Sequence, residues 1–301
     1  MSIMKTEEEV ITKEPNLLQG ALEDHALPET KLTLPENNVC ETEDEYELVY
    51  HRPVPLLDVN MHYCPGCAHS LVHKLLMEVV EEMNIQDKTV GVAPVGCAVF
   101  AYDYMNIDMT EAAHGRAAAV ATGIKRLMPD KYVFTYQGDG DLAAIGIAET
   151  LHAVNRGENI LIVFINNAVY GMTSGQMAPT TLMGMKTTTT PFGRTNEAYG
   201  SPIRMSELIS PLPGAFYVTR QAVHNAPSVR RTKKALQNAF KYQQLHKGTC
   251  FVEIIGNCPS NWKMTPVESE KFIDDEMVKT FPLGDVKLPK ADDLKNLTEG
   301  Q

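Results

Sequence analysis

The sequence predicts an α/β fold in which a parallel sheet carries helices on both faces. From about residue 60, short apolar runs rich in β-branched residues alternate with longer segments of helical length, which is the pattern of a parallel sheet. Of the 301 residues, 44% are hydrophobic and 22% are charged, so the chain can bury the core of one large domain.

The predicted elements alternate along the chain. The strands are Thr89–Val95, Tyr132–Gln137, Ile160–Ile165, Phe216–Thr219 and Cys250–Ile255. The helices are approximately Ser70–Met83, Gly115–Leu127, Leu142–Asn155 and Ser228–Leu245. Asn166–Met205 is rich in Gly, Thr, Met and Pro without clear periodicity, and a long loop after a central strand is more often functional. In an open parallel sheet, ligands collect beyond the carboxyl ends of the strands, so we expect the site there.

The acidity of the chain is concentrated at its start. The formal net charge is −11, and residues 1–50 contain 13 Asp and Glu against 3 Lys. We therefore predict an acidic, extended or disordered arm (1–48), an α/β domain (49–285) and a polar C-terminal tail (286–301). The arm is either a solvated tail or a segment that orders against a partner subunit.

Charge and hydropathy also argue against two classes of partner. The basic cluster Arg230-Arg231 with Lys233-Lys234 is more simply the solvated face of a helix than a nucleic-acid site. No run approaches the roughly 18 apolar residues of a membrane span, and the acidic start does not resemble a secretory signal. We expect a cytoplasmic protein that binds neither nucleic acid nor membrane.

Two polar turns follow neighbouring strands. Gly138-Asp139-Gly140-Asp141 comes directly after the second predicted strand, and Asn166-Asn167 after the third. The glycines allow close approach of a ligand, and the helix that follows offers free N–H groups to a phosphate. Because strand, helix and strand form one crossover unit, Asp139 and Asn167 emerge at the same edge of the sheet. A carboxylate and an amide oxygen there suit Mg²⁺ bound together with phosphate oxygens.

Four of the six cysteines have positions that suggest metal ligation. Cys64 and Cys67 form a C-x-x-C pair before a helix, while Cys97 and Cys258 each lie just past a predicted strand, at the ligand-bearing edge. Four thiolates that converge in this way could hold Zn²⁺ or a [4Fe–4S] cluster.

The motifs HYCPGC, VGCA, HGRA, GDGD, NNAVYGMTSGQMAPTT and GNCPSNW stand in this order along the chain. Their order resembles the β subunits of 2-oxoacid:ferredoxin oxidoreductases over roughly residues 45–285, and GDG followed by NN resembles the motif of thiamine-diphosphate enzymes. The resemblance implies Mg²⁺ ligation by Asp139, Asn167 and the main-chain carbonyl of Val169. It implies a [4Fe–4S] cluster on Cys64, Cys67, Cys97 and Cys258. It implies a cofactor cleft formed by Val95, Gly96, Cys97, Ala98, His114, Gly138, Asp139, Gly140, Asp141, Asn167, Val169, Gly171 and Met172.

The chemistry that the resemblance implies is oxidative decarboxylation of a 2-oxoacid with coenzyme A to acyl-CoA and CO₂, with ferredoxin as electron acceptor. His114 matches a family position beside the cofactor, although a helix-start histidine with a local partner is the alternative. In this family the Glu that activates thiamine comes from a separate pyrimidine-binding domain. We find no second such domain here, so we expect an α subunit to supply it, together with γ and ferredoxin-like δ subunits.

The substrate prediction depends on Phe100 and Met172. Family members that handle charged or small 2-oxoacids often have Lys three residues after the third cluster cysteine, where this chain has Phe100. An apolar pocket favours a branched-chain 2-oxoacid such as 3-methyl-2-oxobutanoate, and VGCAVFAYDY…AAHGRAAAVATGIKR most resembles the branched-chain enzymes. Both residues could instead be ordinary packing residues. Ala68, Ser70 and Ser174 depart from family glycines near the cofactors.

Other hypotheses stay open at this point. Pyruvate or 2-oxoglutarate could be the substrate. A zinc-stabilised binding module without catalytic activity would need the cysteines but neither GDGD nor the Asn pair. A nicotinamide site would need a G-x-G-x-x-G turn that is missing here, and a cluster-free thiamine enzyme would need its own pyrimidine domain. Cys250 is expected to be a small core residue, and Cys40 in the acidic arm has no partner that we can name.

Overall fold

The computed structural model describes residues 49–297. The strands in this range are β1 (Thr89–Pro94), β2 (Asp108–Ala112), β3 (Tyr132–Gly138), β4 (Leu161–Asn166), β5 (Val169–Tyr170), β6 (Gln176–Met177), β7 (Ala215–Ala222), β8 (Thr249–Ile255) and β9 (Gly284–Lys287). The α-helices are α1 (Ala68–Glu82), α2 (Ala117–Leu127), α3 (Ile147–Asn155), α4 (Asn196–Tyr199), α5 (Met205–Ile209), α6 (Ala226–Gln243), α7 (Pro259–Trp262), α8 (Pro266–Phe272) and α9 (Val278–Thr280). The predicted arm, residues 1–48, and the end of the predicted tail lie outside the described residues.

Seven strands form one sheet in the order β2-β1-β3-β4-β8-β7-β9. All neighbours pair in parallel except the edge strand β9, which runs antiparallel to β7. Strands β5 and β6 form a separate antiparallel hairpin. The prediction of a parallel α/β sheet is therefore confirmed.

The central strand β4 shows why the sheet needs helices on both faces. Every residue of β4 is buried. Leu161, Val163 and Ile165 pack into the core that α1 and α6 cover, whereas Ile162 and Phe164 pack into the core that α2 covers. A strand buried on both sides is a continuous apolar run, which is why the sequence pattern identified it.

Several helices begin at residues that satisfy their free N–H groups. The Asn225 side chain accepts a hydrogen bond from the backbone of Ser228 at the start of α6. At the start of α8, Thr265 and Glu268 form a capping box, each side chain accepting from the other residue's backbone N–H. No helix of the described residues is long and apolar enough to cross a membrane.

The predicted helix Leu142–Asn155 is interrupted. A π-helical turn, Asp141–Ile145, precedes α3, and the N–H of Gly146 donates to the carbonyl of Asp141 at 2.7 Å. A Cβ at Gly146 would lie 2.7 Å from the carbonyl oxygen of Gly115. The wider turn brings these two glycines together, which a regular α-helix with a larger residue would prevent.

The two edge strands β2 and β9 were not predicted from the sequence, and neither were the contacts that hold the long loop. The short edge strand β2 is largely solvent-exposed, so it carries no buried apolar run. Strand β9 crosses the predicted tail boundary at residue 286, and the extent of the tail stays a prediction. The loop 166–205 is held by buried Arg194, which donates to the carbonyl oxygens of Thr181 (2.7 Å) and Pro179 (2.9 Å), among others.

Candidate active site

A cleft lies beyond the carboxyl ends of β1, β2, β3 and β4. Its walls come from the segments that directly follow these strands, from the start of α1 and from the start of the β5–β6 hairpin. The structure brings together the whole predicted cofactor set, namely Val95, Gly96, Cys97, Ala98, His114, Gly138, Asp139, Gly140, Asp141, Asn167, Val169, Gly171 and Met172. The edge of the sheet inferred from strand order is therefore the edge at which the cleft is found.

Asp139 lies in the cleft wall with its side chain 2% exposed. One carboxylate oxygen accepts the backbone N–H of Asn167 at 3.2 Å, and the other accepts the hydroxyl of Thr180 at 2.5 Å. Burial raises the pKa of Asp139 to about 7, because these hydrogen bonds only partly replace the lost water. No Lys, Arg or His between residues 49 and 297 forms an ion pair with this carboxylate, so a cation bound in the cleft would stabilise it.

The Asn166-Asn167 turn is fixed by its own side chains. The Asn166 side-chain oxygen accepts the N–H of Ala168 at 3.2 Å, and the Asn167 side-chain oxygen accepts the N–H of Val169 at 3.3 Å. Ala168 has a φ of +60°, a left-handed conformation that is uncommon for a residue other than glycine. Trp262 donates its indole N–H to the carbonyl of Asn167 at 3.0 Å. These contacts hold the Asn167 amide and the Val169 backbone at the cleft.

Asp141 organises the opposite wall. Its buried carboxylate accepts from the Gly115 N–H (2.5 Å), from the Gln137 amide (2.6 Å) and from Nδ1 of His114 (2.7 Å). Because a carboxylate can only accept, Nδ1 carries the proton and Nε2 is the free ring nitrogen. His114 therefore has the local partner that the alternative interpretation required, and it also lines the cleft, where Nε2 is free for a ligand.

The four predicted cluster cysteines lie near one another. Cys258 is buried, Cys67 and Cys97 are half-buried, and Cys64 is exposed. Burial, with a smaller contribution from the neighbouring thiols, raises the pKa of Cys67 to about 11 and that of Cys97 to about 12. Among residues 49–297 no three His, Cys, Asp or Glu side chains lie close enough together to hold a single metal ion. Thiolates in such a place require a cationic centre to stabilise them.

Gly171 connects the cysteines to the cleft. A Cβ at this position would lie 3.0 Å from Sγ of Cys97 and 3.7 Å from Sγ of Cys258. The Asn261 amide donates to the Gly171 carbonyl at 2.9 Å and also contacts the sulfur of Cys258 at 3.2 Å. The absent side chain leaves space between the sulfurs and the cleft, and Asn261 holds the two loops together.

Several residues of the site were not found from the sequence. His69, Tyr170 and Thr173 line the cleft, and Thr180 binds Asp139. Burial lowers the pKa of His69 to about 3, so its ring is neutral. Tyr170, Thr173 and Thr180 lie inside the motif NNAVYGMTSGQMAPTT, whereas His69 carries no signal beyond its proximity to the motif HYCPGC.

The two residues of the substrate prediction lie in different places. Met172 lines the cleft and is 48% exposed. Phe100 does not line it; its ring packs edge-on against the ring of His62, with centroids 5.0 Å apart. The structure therefore places Met172, but not Phe100, where it would contact a ligand of this cleft.

A parallel α/β sheet with a glycine turn, a buried carboxylate and an asparagine turn at its carboxyl edge defines the class of thiamine-diphosphate-binding domains. The family model described as "Thiamine pyrophosphate enzyme, C-terminal TPP binding domain" matches residues 94–254. The chain belongs to this family, and within it to the subunits of 2-oxoacid:ferredoxin oxidoreductases.

Individual relatives support this assignment. The chain is 46% identical to ketoisovalerate oxidoreductase subunit VorA of Methanothermobacter thermautotrophicus, over 74% of this chain and 46% of that protein. It is 36% identical to 2-oxoglutarate synthase subunit KorB of Methanocaldococcus jannaschii, over 77% of this chain and 81% of that protein. The chain thus spans about half the length of the ketoisovalerate relatives.

A solved structure supports the fold. The 2-oxoglutarate:ferredoxin oxidoreductase from Magnetococcus marinus, with 2-oxoglutarate, coenzyme A and succinyl-CoA bound, superposes with a TM-score of 0.67 at 24% sequence identity. The match covers 84% of this chain and 91% of that chain.

Proposed function

We propose that this chain is the diphosphate-binding β subunit of a ferredoxin-dependent oxidoreductase that converts a 2-oxoacid and coenzyme A to an acyl-CoA and CO₂. The observation that carries the proposal is the proximity of two groups of residues: the buried Asp139 with the Asn167 turn, and the four neighbouring thiols, of which Cys97 lines the same cleft. Thiamine diphosphate, when bound, supplies the carbanion that decarboxylates 2-oxoacids, and an iron–sulfur cluster supplies single-electron acceptance.

The first constellation fits Mg²⁺. Asp139 offers a buried carboxylate without a cationic partner in the described part of the chain, and Asn167 and Val169 offer an amide and a carbonyl oxygen. Hard oxygen ligands of this kind, together with phosphate oxygens, are the usual environment of Mg²⁺. Asp139, Asn167 and Val169 would hold the metal, and the metal would hold the diphosphate against the turn at Gly138 and Gly140.

The second constellation fits a [4Fe–4S] cluster on Cys64, Cys67, Cys97 and Cys258. Each thiol would bind a different iron, so the four need not close around one point as they would around Zn²⁺. Cys97 lines the same cleft as Asp139, and Gly171 leaves open the space beside its sulfur. This chain would therefore keep the electron acceptor next to the site of decarboxylation.

The remaining residues would orient the ligand. His114, with Nδ1 held by Asp141, would offer Nε2 to the cofactor. Met172 would give the substrate an apolar contact, which favours a branched-chain 2-oxoacid such as 3-methyl-2-oxobutanoate over a charged one. The higher identity to the ketoisovalerate relatives supports this substrate class, while 2-oxoglutarate and pyruvate are the alternatives. Phe100 would act on substrate choice only indirectly, through its packing.

The proposed partners follow from the part of the active site that this chain would not supply, the pyrimidine-binding domain. An α subunit would supply the pyrimidine-binding domain and its activating Glu, γ and ferredoxin-like δ subunits would complete the complex, and ferredoxin would take the electrons.

Anaerobic purification of the chain with its bound partners tests the proposal. We expect iron, acid-labile sulfide and thiamine diphosphate in the complex, and viologen reduction that depends on a 2-oxoacid and coenzyme A. In a panel of 2-oxoacids, 3-methyl-2-oxobutanoate should give the highest kcat/KM. Zinc without sulfide would identify a binding module instead, and a strong preference for pyruvate or 2-oxoglutarate would refute only the substrate assignment.

A matched pair of cysteine variants tests the cluster ligands. Cys97→Ala should lower the iron content of the complex by one [4Fe–4S] cluster per copy of this chain, because a ligand is removed. Cys250→Ala should keep it, because Cys250 lies fully buried in strand β8. Equal iron contents in the two variants would argue against Cys97 as a ligand.

A further inference from the structure

His69 lines the cleft but has no role in the proposed binding of the cofactor, the Mg²⁺ ion or the cluster. It is the second residue of α1, its side chain is 2% exposed, and it lines the cleft together with Cys97 and Ala98. Its Nδ1 lies 2.9 Å from the hydroxyl of Tyr136 on strand β3. A histidine that is bound on one side and faces a ligand cleft on the other has one ring nitrogen to offer.

The hydrogen-bond inventory decides which ring nitrogen carries the proton. Tyr136 is fully buried, and its hydroxyl has no other partner in residues 49–297. If Nδ1 donated to this hydroxyl, the phenol proton would be left buried without an acceptor, which is costly. The phenol therefore donates, Nδ1 accepts, and Nε2 of the neutral ring carries the N–H.

The orientation of the His69 ring is held by a second contact. The ring of Tyr63 stacks on it with centroids 4.9 Å apart and an interplanar angle of 9°. The ring plane is thus set by stacking, and its rotation within that plane is set by the bond to Tyr136. A donor held in this way loses little freedom when it binds a ligand.

His69 lies at the thiol end of the cleft. It follows Cys67 by two residues, and the Tyr136 ring is close enough to Cys67 and Cys97 to interact with both thiols electrostatically. Under the proposed function, electrons pass from the substrate carbon to a centre held by these thiols. The reacting part of the substrate would therefore lie at this end.

We propose that His69 is a substrate-binding residue that donates a hydrogen bond from Nε2 to an oxygen of the bound 2-oxoacid. The inference rests on the proposed function and adds to it the group of this chain that recognises the polar end of the substrate. An N–H donor suits the 2-oxo or carboxylate oxygen that all such acids share. Met172 then contacts the apolar remainder, so recognition of the shared group and of the side chain is divided between two residues.

The test uses the intact complex, purified anaerobically. His69→Leu should lower kcat/KM for 3-methyl-2-oxobutanoate about 10- to 100-fold, as expected for one lost hydrogen bond to a charged or polar substrate. The KM for coenzyme A, the thiamine diphosphate content and the iron content should stay within about twofold of the wild type, since these ligands would not use Nε2. His69→Gln, whose amide also donates, should recover part of the loss.

Tyr136→Phe keeps the shape of the core and removes only the hydroxyl that orients the ring. We expect it to raise the KM for the 2-oxoacid about 3- to 10-fold with its cofactors retained, because Nδ1 can then take the proton. If His69→Leu fails to assemble, this variant decides, and an unchanged KM would overturn the proposal.

His73→Leu is the matched control. His73 lies one turn further along α1, is fully buried and contacts Tyr63, but it does not line the cleft. Its KM for the 2-oxoacid should change less than that of His69→Leu. Equal effects in both variants, or a parallel loss of thiamine diphosphate or iron in His69→Leu, would mean that His69 is structural. A wild-type complex that lacks these cofactors would instead refute the proposed function before any variant is made.

Discussion

Two buried carboxylates lie on opposite sides of the central strand β4 and have opposite surroundings. Glu253 on β8 is fully buried and bonds to the Arg220 guanidinium at 2.9 Å, to the Ser206 hydroxyl at 2.5 Å and to the Asn166 amide at 2.8 Å. Asp139, after β3, accepts one backbone N–H and one hydroxyl, and no cationic side chain of the described residues pairs with it.

The difference separates a structural acid from a ligand-binding acid. A buried charge must be compensated, and Glu253 is compensated inside the chain by Arg220, which Glu207 also binds. Asp139 has no cationic side chain beside it in the described residues, and burial raises its pKa to about 7. A bound cation would therefore stabilise its ionised form. Asn166 links the two regions, because its amide binds Glu253 while its carbonyl holds the turn beside Asp139.

Removal of the internal cation should have the largest effect on stability. Arg220→Ala leaves Glu253 buried without its ion pair, and we expect a loss of about 3–5 kcal/mol in the free energy of unfolding. Denaturant titration of the variant measures it. The control is Arg204→Ala, which removes an exposed pair with the same Glu207 and should cost less than about 1 kcal/mol. Similar losses in the two variants would show that the buried ion pair contributes no more to the free energy of unfolding than the exposed one.

Neutralisation of Asp139 should weaken binding without loss of stability, in contrast to removal of Arg220. Asp139→Asn should weaken Mg²⁺-dependent binding of thiamine diphosphate at least about 100-fold, because a charged ligand is lost. Without metal, the variant should be as stable as the wild type or more stable at pH 8, where the wild-type carboxyl is ionised and uncompensated. Calorimetric binding and metal-free unfolding report the two effects, and a variant that loses stability but binds normally would contradict the assignment.

The pH dependence of unfolding without metal is a further test of whether Asp139 is uncompensated in the folded chain. The folded-state pKa of Asp139 lies above its ordinary value of 3.8, so the folded chain binds more protons than the unfolded chain between pH 4 and about 7. This carboxyl therefore lowers stability as the pH rises through that window, by at most about 1.4 kcal/mol per pH unit. The Asp139→Asn variant should lack this contribution. If the variant loses the same stability between pH 4 and about 7, other groups cause the pH dependence.

The link between the regions should give a smaller effect. Asn166→Ala removes the bond to Glu253 and the support of the turn, and we expect a loss of about 1–2 kcal/mol in stability together with about tenfold weaker binding of Mg²⁺ and thiamine diphosphate. Ser206→Ala removes another partner of Glu253 but leaves the turn intact, so it should lose stability without loss of binding. Unequal binding of this kind would show that Asn166 couples the network to the site.

Local sequence patterns predicted the central strands of the sheet, its carboxyl edge and the motifs that meet there. Strands β3, β4 and β8 are buried on both faces, so each appears as an apolar run, and the polar turns after them carry the motifs Gly138–Asp141, Asn166-Asn167 and Gly256–Cys258. Crossover connections between parallel strands then bring these turns to one edge. Local pattern and connection rules were enough for that part of the site.

The contacts between residues that are distant in the sequence could not be predicted and are seen only in the folded chain. The exposed edge strand β2 has no buried run, and the turn before α3 widens because Gly115, far along the chain, packs against Gly146. Thr180, Trp262 and His69 reach the site through folding, since no local pattern distinguishes a hydroxyl or a ring that meets a distant partner. The same reason separates Phe100 from Met172, because side-chain direction depends on packing that spacing does not specify.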